Sequence, residues 1–269
     1  MNGLAYPDIS PIIFSIGPLT LRWYSMAYLF GIVAAWFLVA KNIKKFNLPI
    51  SKEALEDMVF YVTLGIVSGG RIGYVLFYWR DMLTENPLEI FAIWHGGMSF
   101  HGGVIGVIIA VYFAARKYKY RFLSITDLIA LYAPIGIFCG RLANFANDEL
   151  WGRITDVPWA IKFPAGGYLP RHPSQLYEAA LEGVLLFIIL NLLWQKQWVR
   201  RHTGFISGLF LLCYGTFRAF VEQFREPDAQ LGFIFSSVTM GQLLSLPFIL
   251  LGMILLFSAV KSKNIDAKL

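Results

Sequence analysis

The apolar positions of this chain fall into long continuous runs, each closed by a short basic cluster or by a break rich in glycine and proline. Continuous runs predict helices, because a barrel strand in lipid alternates apolar and polar positions. Roughly 20 apolar residues carry a helix across about 30 Å of hydrocarbon, and about seven runs reach that length. The predicted spans cover about Leu19–Ala40, Leu55–Tyr78, Leu88–Ala115, Ile125–Arg141, Ser174–Trp194, Gly204–Phe224 and Val238–Val260. Ahead of them, Pro7, Pro11 and Pro18 enclose Ile12, Ile13 and Phe14, a pattern that predicts a short segment lying on the membrane. Residues 153–173 carry Pro158, Pro164, Gly166, Gly167, Pro170 and Pro173, which cannot continue a helix and predict an extramembrane loop or hairpin. The expected fold is an all-α integral membrane protein. It is a single polytopic domain over residues 1–269, with a small outward-facing loop or head at 144–173.

Composition supports that class. The chain is 57% hydrophobic and 15% charged, against a charged share of about 25% in soluble domains. A net charge of +6 would suit nucleic acid, yet the basic residues sit in short clusters between apolar runs and read as topology signals. Fourteen of the 23 basic residues follow the first, third, fifth and seventh spans, which makes that face cytoplasmic and turns the N-terminus outward. The N-terminus lacks the basic region and small-residue cleavage site of a removed signal and is expected to stay. Cys139 and Cys213 both lie in apolar segments, offer no disulfide framework or metal spacing, and are expected to be buried small hydrophobes.

Nine basic residues remain on the outward side: Arg22, Arg71, Arg80, Arg141, Arg153, Lys162, Arg171, Arg218 and Arg225. Eight are arginine, whose planar fork suits phosphate and carboxylate. An arginine-lined site near the outer leaflet would suit an anionic lipid headgroup. Arg141 ends an apolar run, where a guanidinium is expensive without an anion or acid to meet it. Asn144 shares its helical face one turn on, and Asn147, Glu149 and Gly152 follow where the helix should end. A polar C-terminal cap would explain the Asn and Gly but not the arginine. Tyr214, Arg218, Glu222 and Arg225 share one face of the sixth span, either as a salt-bridge ladder or as a phosphate clamp oriented by Glu222.

Other motifs carry less chemistry. Gly65, Gly69 and Gly73 are spaced four apart and read as helix packing. The segment His95-Gly96-Gly97-Met98-Ser99-Phe100-His101-Gly102-Gly103 lets backbones approach or break a helix. Its two histidines lack further metal ligands, and His101 is a candidate proton acceptor for a thiol or hydroxyl. Trp23 and Tyr24 read as an aromatic belt. Arg171 to Glu178 contains a helix start with Ser174 as cap, and no nucleophile elbow surrounds that serine.

These segments together resemble the prolipoprotein diacylglyceryl transferase family. The likeness is carried by Gly140-Arg141-Leu142-Ala143-Asn144-Phe145 through Asn147-Asp148-Glu149 to Gly152, by Phe14 to Pro18, Gly69 to Tyr74, Gly96 to Gly103, Arg171 to Glu178 and Phe224 to Asp228. It covers nearly the whole chain, with Ala143 standing where the family commonly has glycine. The resemblance implies a seven-helix enzyme of the bacterial inner membrane that transfers the diacylglyceryl group of phosphatidylglycerol to the lipobox cysteine of preprolipoproteins. A thioether forms and glycerol phosphate leaves, in the first step of lipoprotein maturation. It implies Arg141, Arg218, His101 and Tyr24 as catalytic residues. Arg141, Asn144, Glu149 and Gly152 would bind phosphatidylglycerol, joined from the residue reading by Tyr214, Glu222, Arg225 and Arg71. No metal or organic cofactor is expected. An anionic lipid transporter is the alternative, disfavoured because no internal repeat is visible and the charged intramembrane residues gather toward one face. A scaffold held by structural salt bridges would not need the clustered Gly, His and Asn.

Overall fold

The computed structural model describes residues 3–17, 19–79, 86–92, 96–227, 233–234 and 238–261. Of the residues singled out above, Pro18, Arg80, His95 and Asp228 lie outside these, as do Lys263 and Lys268, two of the fourteen basic residues counted there. The chain divides into two compact units, one built from Met1–Ala35 with Asp127–Ala267 and the other from Trp36–Thr126.

Helices dominate. Among the described residues, five are long and apolar enough to cross a membrane: Trp23–Phe46, Lys52–Phe77, Phe122–Ala146, Ser174–Trp194 and Met240–Lys261. The chain is thus a multi-pass membrane protein. Phe205–Val221, at 17 residues, is a shorter apolar helix, and Phe100–Tyr118 is a 19-residue one that ends on Arg116 and Lys117. In chain order we label these α1 (Trp23–Phe46), α2 (Lys52–Tyr78), α3 (Phe100–Tyr118), α4 (Phe122–Ala146), α5 (Ser174–Trp194), α6 (Gln197–Arg201), α7 (Phe205–Val221) and α8 (Met240–Lys261).

The helices are joined by short strands at the N-terminus and in the head, where residues 153–173 were expected to form a loop or hairpin. Strand β1 (Leu4–Ala5) pairs in parallel with β4 (Ile161–Lys162), which pairs antiparallel with β5 (Pro170–Arg171). Strands β2 (Ile12–Ile16) and β3 (Leu19–Arg22) form a hairpin, so residues expected to begin the first span are extended and α1 starts only at Trp23. A last pair, β6 (Phe233–Ile234) and β7 (Val238–Thr239), leads into α8. Its start carries a reciprocal cap in which Thr239 and Gln242 each accept the other's backbone N–H.

The third predicted span is also shorter than expected. Pro87–Phe91 is a 3-10 turn, and Gly96 and Gly97 adopt φ of 80° and 77°, a region that excludes helix. Ser99 then caps α3 by accepting the N–H of Gly102 at 3.2 Å, which sets the start at Phe100. The fourth span runs longer than expected, to Ala146 instead of Arg141. Ser174 is not a cap: Pro173 holds the capping position and the Ser174 hydroxyl donates to the Leu150 carbonyl at 3.0 Å. Cys139 and Cys213 are free and only half-buried, since neither is sealed from the surface by its neighbours.

Within the second unit, α2 and α3 cross at a glycine seam. A Cβ on Gly73 would come 2.7 Å from the Gly102 Cα, and one on Gly69 would come 2.9 Å from the Gly106 Cα. The spacing Gly65, Gly69, Gly73 is therefore a packing device, as its sequence pattern implied. Within the first unit, a Cβ on Gly31 of α1 would come 3.0 Å from the Gly136 Cα of α4, so these helices also approach closely. That approach brings the first turn of α1 beside the last turn of α4.

Candidate functional site

Three arginines and three glutamates from α4, α5 and the end of α7 share one buried cluster. Glu178 is its hub. One carboxylate oxygen lies 3.2 Å from Arg141 Nε, and the other takes a hydrogen bond from Arg218 and lies 3.3 Å from Arg225 Nη1. Arg141 turns its Nη2 to Glu182 at 3.3 Å, and Arg218 turns its Nη2 to Glu222 at 2.9 Å. Each pair spaced four residues on a helix, Glu178 with Glu182 and Arg218 with Glu222, projects from one face because 3.6 residues make a turn. The Glu178 and Glu182 side chains are 0% exposed, while Arg141 and Arg218 keep 17% and 16% of theirs open. The acids sit behind and the guanidiniums in front, which leaves the cations reachable by a ligand. A run of π-helix at Ala179–Leu185 carries Glu182, a backbone feature often found at functional sites.

A second group adjoins Arg141 along α4. Asn144, 4% exposed, donates through its amide to the Tyr24 hydroxyl and to Glu149 Oε1 at 2.9 Å. Asn147 reaches the same Glu149 oxygen at 3.5 Å. Tyr24 lies within electrostatic reach of Arg141, and Tyr214 within reach of Glu182, Arg141 and Arg225. Tyr214 is held by stacking on Phe210 at 5.8 Å and by an edge contact with Phe248 at 5.9 Å. Six of the residues expected to act together, Tyr24, Arg141, Asn144, Glu149, Arg218 and Glu222, thus lie in this region of one unit, with Tyr214 and Arg225 beside them.

The head loop is bolted onto this region by its backbone. Asp148 and Leu150 take φ of 53° and 57°, which turns the chain sharply after α4. Gln175 donates to the Glu149 carbonyl at 2.6 Å, fixing the loop to the first turn of α5. Gly152 bridges Arg225, and its N–H donates to His172 at 2.8 Å. A Cβ there would lie 2.5 Å from the Phe224 carbonyl, so Gly152 acts by leaving room between backbones. Arg153 and Arg171, two of the outward arginines, hold main chain as well. Arg153 donates to the Arg225 carbonyl at 2.9 Å, and Arg171 to the Gly152 carbonyl at 3.2 Å. Aromatic packing of Tyr6, Phe145, Phe163 and Trp151 closes the underside of the head, and burial raises the Tyr6 hydroxyl above its usual range. Burial likewise holds the His172 imidazole below its usual range.

The remaining two candidates belong to the unit Trp36–Thr126. Arg71 is 2% exposed and grips carbonyls of the preceding loop, donating to Ile90 at 3.2 Å, to Gly97 at 3.3 Å and to Gly96. Its visible role is to shape the loop that leads into α3. His101 is exposed on the first turn of α3.

Sequence reasoning overlooked Glu178 and Glu182 as site residues. The signal was present, since two acids four apart in an otherwise apolar span are expensive unless they meet cations. Glu178 had been read only as part of a helix start.

The family model described as prolipoprotein diacylglyceryl transferase matches residues 11–258. The protein named phosphatidylglycerol--prolipoprotein diacylglyceryl transferase in Aeromonas salmonicida is 51% identical over 256 residues, covering 95% of this chain and 92% of its own length. The protein of that name in Mannheimia succiniciproducens is 50% identical over 262 residues, 97% of each chain. In Rickettsia felis it is 52% identical over 249 residues, 93% of this chain and 96% of the relative.

Proposed function

The chain belongs to the prolipoprotein diacylglyceryl transferase family, and from that premise we propose that it transfers the diacylglyceryl group of phosphatidylglycerol to the lipobox cysteine thiol of preprolipoproteins. The observation that carries this reading is the cluster of Arg141, Arg218 and Arg225 backed by buried Glu178, Glu182 and Glu222. Sulfur attacks the glycerol carbon that bears the phosphate, the S–C bond forms, the C–O bond breaks and glycerol phosphate departs with the bonding pair. Negative charge therefore grows on phosphate oxygens. Guanidiniums already fixed by buried carboxylates meet that charge without reorganising, and one such donor is typically worth about 3–4 kcal/mol.

Roles follow from position. Arg141 and Arg218, the more open cations, hold the phosphate, with Arg225 behind them. Asn144, Glu149 and Tyr24 form the polar wall beside Arg141 and orient the glycerol headgroup. Glu222 and Tyr214 keep Arg218 and its neighbours in place, and Gly152 and Arg71 act through the loops they shape. A free thiol has a pKa of about 8.5, so only a few per cent is thiolate at neutral pH. His101 is proposed as a base for the thiol proton on the family resemblance alone. Seven crossings of the bacterial inner membrane are inferred, α3 and α7 completing the five long helices. The N-terminus, residues 144–173 and the site face outward, and the C-terminus is cytoplasmic, in keeping with the basic clusters.

The test is a transfer assay with purified protein, phosphatidylglycerol and a lipobox peptide, read by mass spectrometry. Wild type is expected to add a diacylglyceryl thioether, and Arg141→Ala and Arg218→Ala to lose about a hundred- to thousandfold in rate while staying folded. An unimpaired His101→Ala removes the base assignment. Unchanged peptide and lipid, under conditions where an authentic transferase works, would overturn the whole reading.

A further inference from the structure

Counting charges in the cluster exposes a problem for any anionic ligand. Arg141, Arg218 and Arg225 are matched by Glu178, Glu182 and Glu222, so the six groups sum to zero before a ligand arrives. A phosphodiester adds one negative charge to a site within apolar helices, and the departing phosphate monoester carries up to two. Unpaired charge at that depth is costly. Protonation of one of the acids would restore neutrality.

The three acids are not equally held. Glu178 is within 3.3 Å of three arginines, and two of them, Arg218 and Arg225, donate hydrogen bonds to it. Glu222 has Arg218 at 2.9 Å. Glu182 meets one guanidinium nitrogen, Arg141 Nη2 at 3.3 Å, through one oxygen. Each of the three acids has one buried oxygen without a hydrogen bond among the described residues, Glu178 Oε2, Glu182 Oε1 and Glu222 Oε2, so what sets Glu182 apart is its longer reach to a single cation from a side chain that is 0% exposed. Facing it are Arg141 from α4, Tyr214 and Glu222 from α7 and the turn after it, and Arg225 beyond, with Glu178 one turn back on its own helix. Two of these neighbours carry negative charge and disfavour a further carboxylate.

We propose that Glu182 takes up a proton from solvent when an anionic lipid phosphate enters the cluster, and that the neutral acid then releases the Nη2 edge of Arg141 to the phosphate. This inference rests on the transferase reading above and adds a positioning residue to it. The carboxylate becomes a carboxylic acid, no covalent bond to lipid is made, and the net charge of site plus phosphodiester returns to zero.

The experiment is titration calorimetry of the purified full-length protein with short-chain phosphatidylglycerol at a pH near 8, above the ordinary histidine range. Running it in two buffers of different ionisation enthalpy counts the protons taken up. Wild type is expected to bind about one proton per lipid, and its affinity to fall as pH rises, by up to about tenfold per unit. Glu182→Gln, which mimics the neutral acid, should bind lipid with no uptake and a flat pH dependence. Difference infrared should show a protonated carboxyl band on lipid addition to wild type that Glu182→Gln lacks. Glu182→Asp keeps an acid on a shorter arm and should keep the uptake with a shifted pH midpoint. An unshifted midpoint, or uptake that persists in Glu182→Gln, overturns the assignment. The same preparations go through the peptide assay. A wild type that makes thioether without proton uptake overturns this inference alone, whereas one that neither binds the lipid nor makes thioether overturns the transferase reading with it.

Discussion

Gly241→Ala tests whether the placement of Glu222 governs the arginines. Gly241 is the second residue of α8, and a Cβ built there falls 2.5 Å from the Glu222 carboxyl carbon and 2.6 Å from both of its oxygens. Heavy atoms in apolar contact rest about 3.5–4.0 Å apart, so the carboxylate must retreat by roughly 1 Å. Arg218 Nη2 stands 2.9 Å from Glu222 Oε2, and the same retreat carries that pair out of hydrogen-bond range or drags Arg218 along. A misplacement of about 1 Å near reacting groups costs on the order of a hundredfold in rate. Backbone propensity works in the other direction, since alanine is favoured over glycine in a helix by about 1 kcal/mol. The expected signature is therefore a transferase about a hundredfold slower that melts no earlier than wild type. The lipobox-peptide assay gives the rate, and thermal unfolding in detergent gives the melting point. Glu222→Asp in the Gly241→Ala background, one methylene shorter, should restore part of the loss, a coupling that a double-mutant cycle measures. Wild-type turnover in Gly241→Ala would refute the reasoning, because Arg218 would then tolerate displacement of its partner.

Three further outcomes follow from other parts of the molecule. Asp127, 4% exposed, accepts the N–H groups of Gly204 and Ser207 and the Ser207 hydroxyl, each at 2.7 Å, and so caps α7 from α4. Asp127→Ala should lower stability by about 2–4 kcal/mol, a lost cap plus stranded donors, read as an earlier thermal transition. Gly106→Leu should separate α2 from α3, because even a Cβ at Gly106 meets the Gly65 carbonyl and lies 3.1 Å from the Gly69 Cα. The loss is on the order of 1–3 kcal/mol or more, and cross-linking of cysteines placed along the seam would report it. His172 titrates lower when folded than unfolded because burial disfavours its charged form, so the unfolded chain binds the extra proton first. Stability is then complete above about pH 6.5 and falls as pH drops below it, and His172→Asn should flatten that acid limb in a melting series.

Much of this architecture was legible because a membrane imposes strong patterns. Apolar run length located the helices, and the four-residue glycine spacing of α2 identified its packing face. Arg141 announced a site by being a cation in an apolar run. What could not be read was long-range or conformational. Nothing local distinguishes Ile12–Ile16 and Leu19–Arg22 as a hairpin from a membrane-surface segment, since register is set by pairing. The late start of α3 depends on Gly96 and Gly97 taking positive φ, which their sequence permits but does not require. Arg153 and Arg171 looked equal to Arg141 as outward arginines, and only their contacts, main-chain carbonyls for both and Glu226 for Arg171, separate them. Glu178 and Glu182 were visible as acids, but their three cationic partners lie 37 or more residues away along the chain.

The pairing of those acids with the arginines also resolves an apparent conflict in the chain. Bare guanidiniums would bind phosphate tightly but could not be kept among apolar helices, while fully satisfied ion pairs would be stable there and indifferent to ligand. The observed arrangement lies between these limits. Glu178 and Glu182 are sealed at 0% exposure, whereas Arg141 and Arg218 retain 17% and 16%. The acids fix the position of the cations from the protein side and leave guanidinium edges open, which under the proposed function would meet the lipid phosphate. Such a site trades some affinity for fixed geometry, which favours the transition state over the bound lipid because charge on the leaving oxygens is largest as the C–O bond breaks.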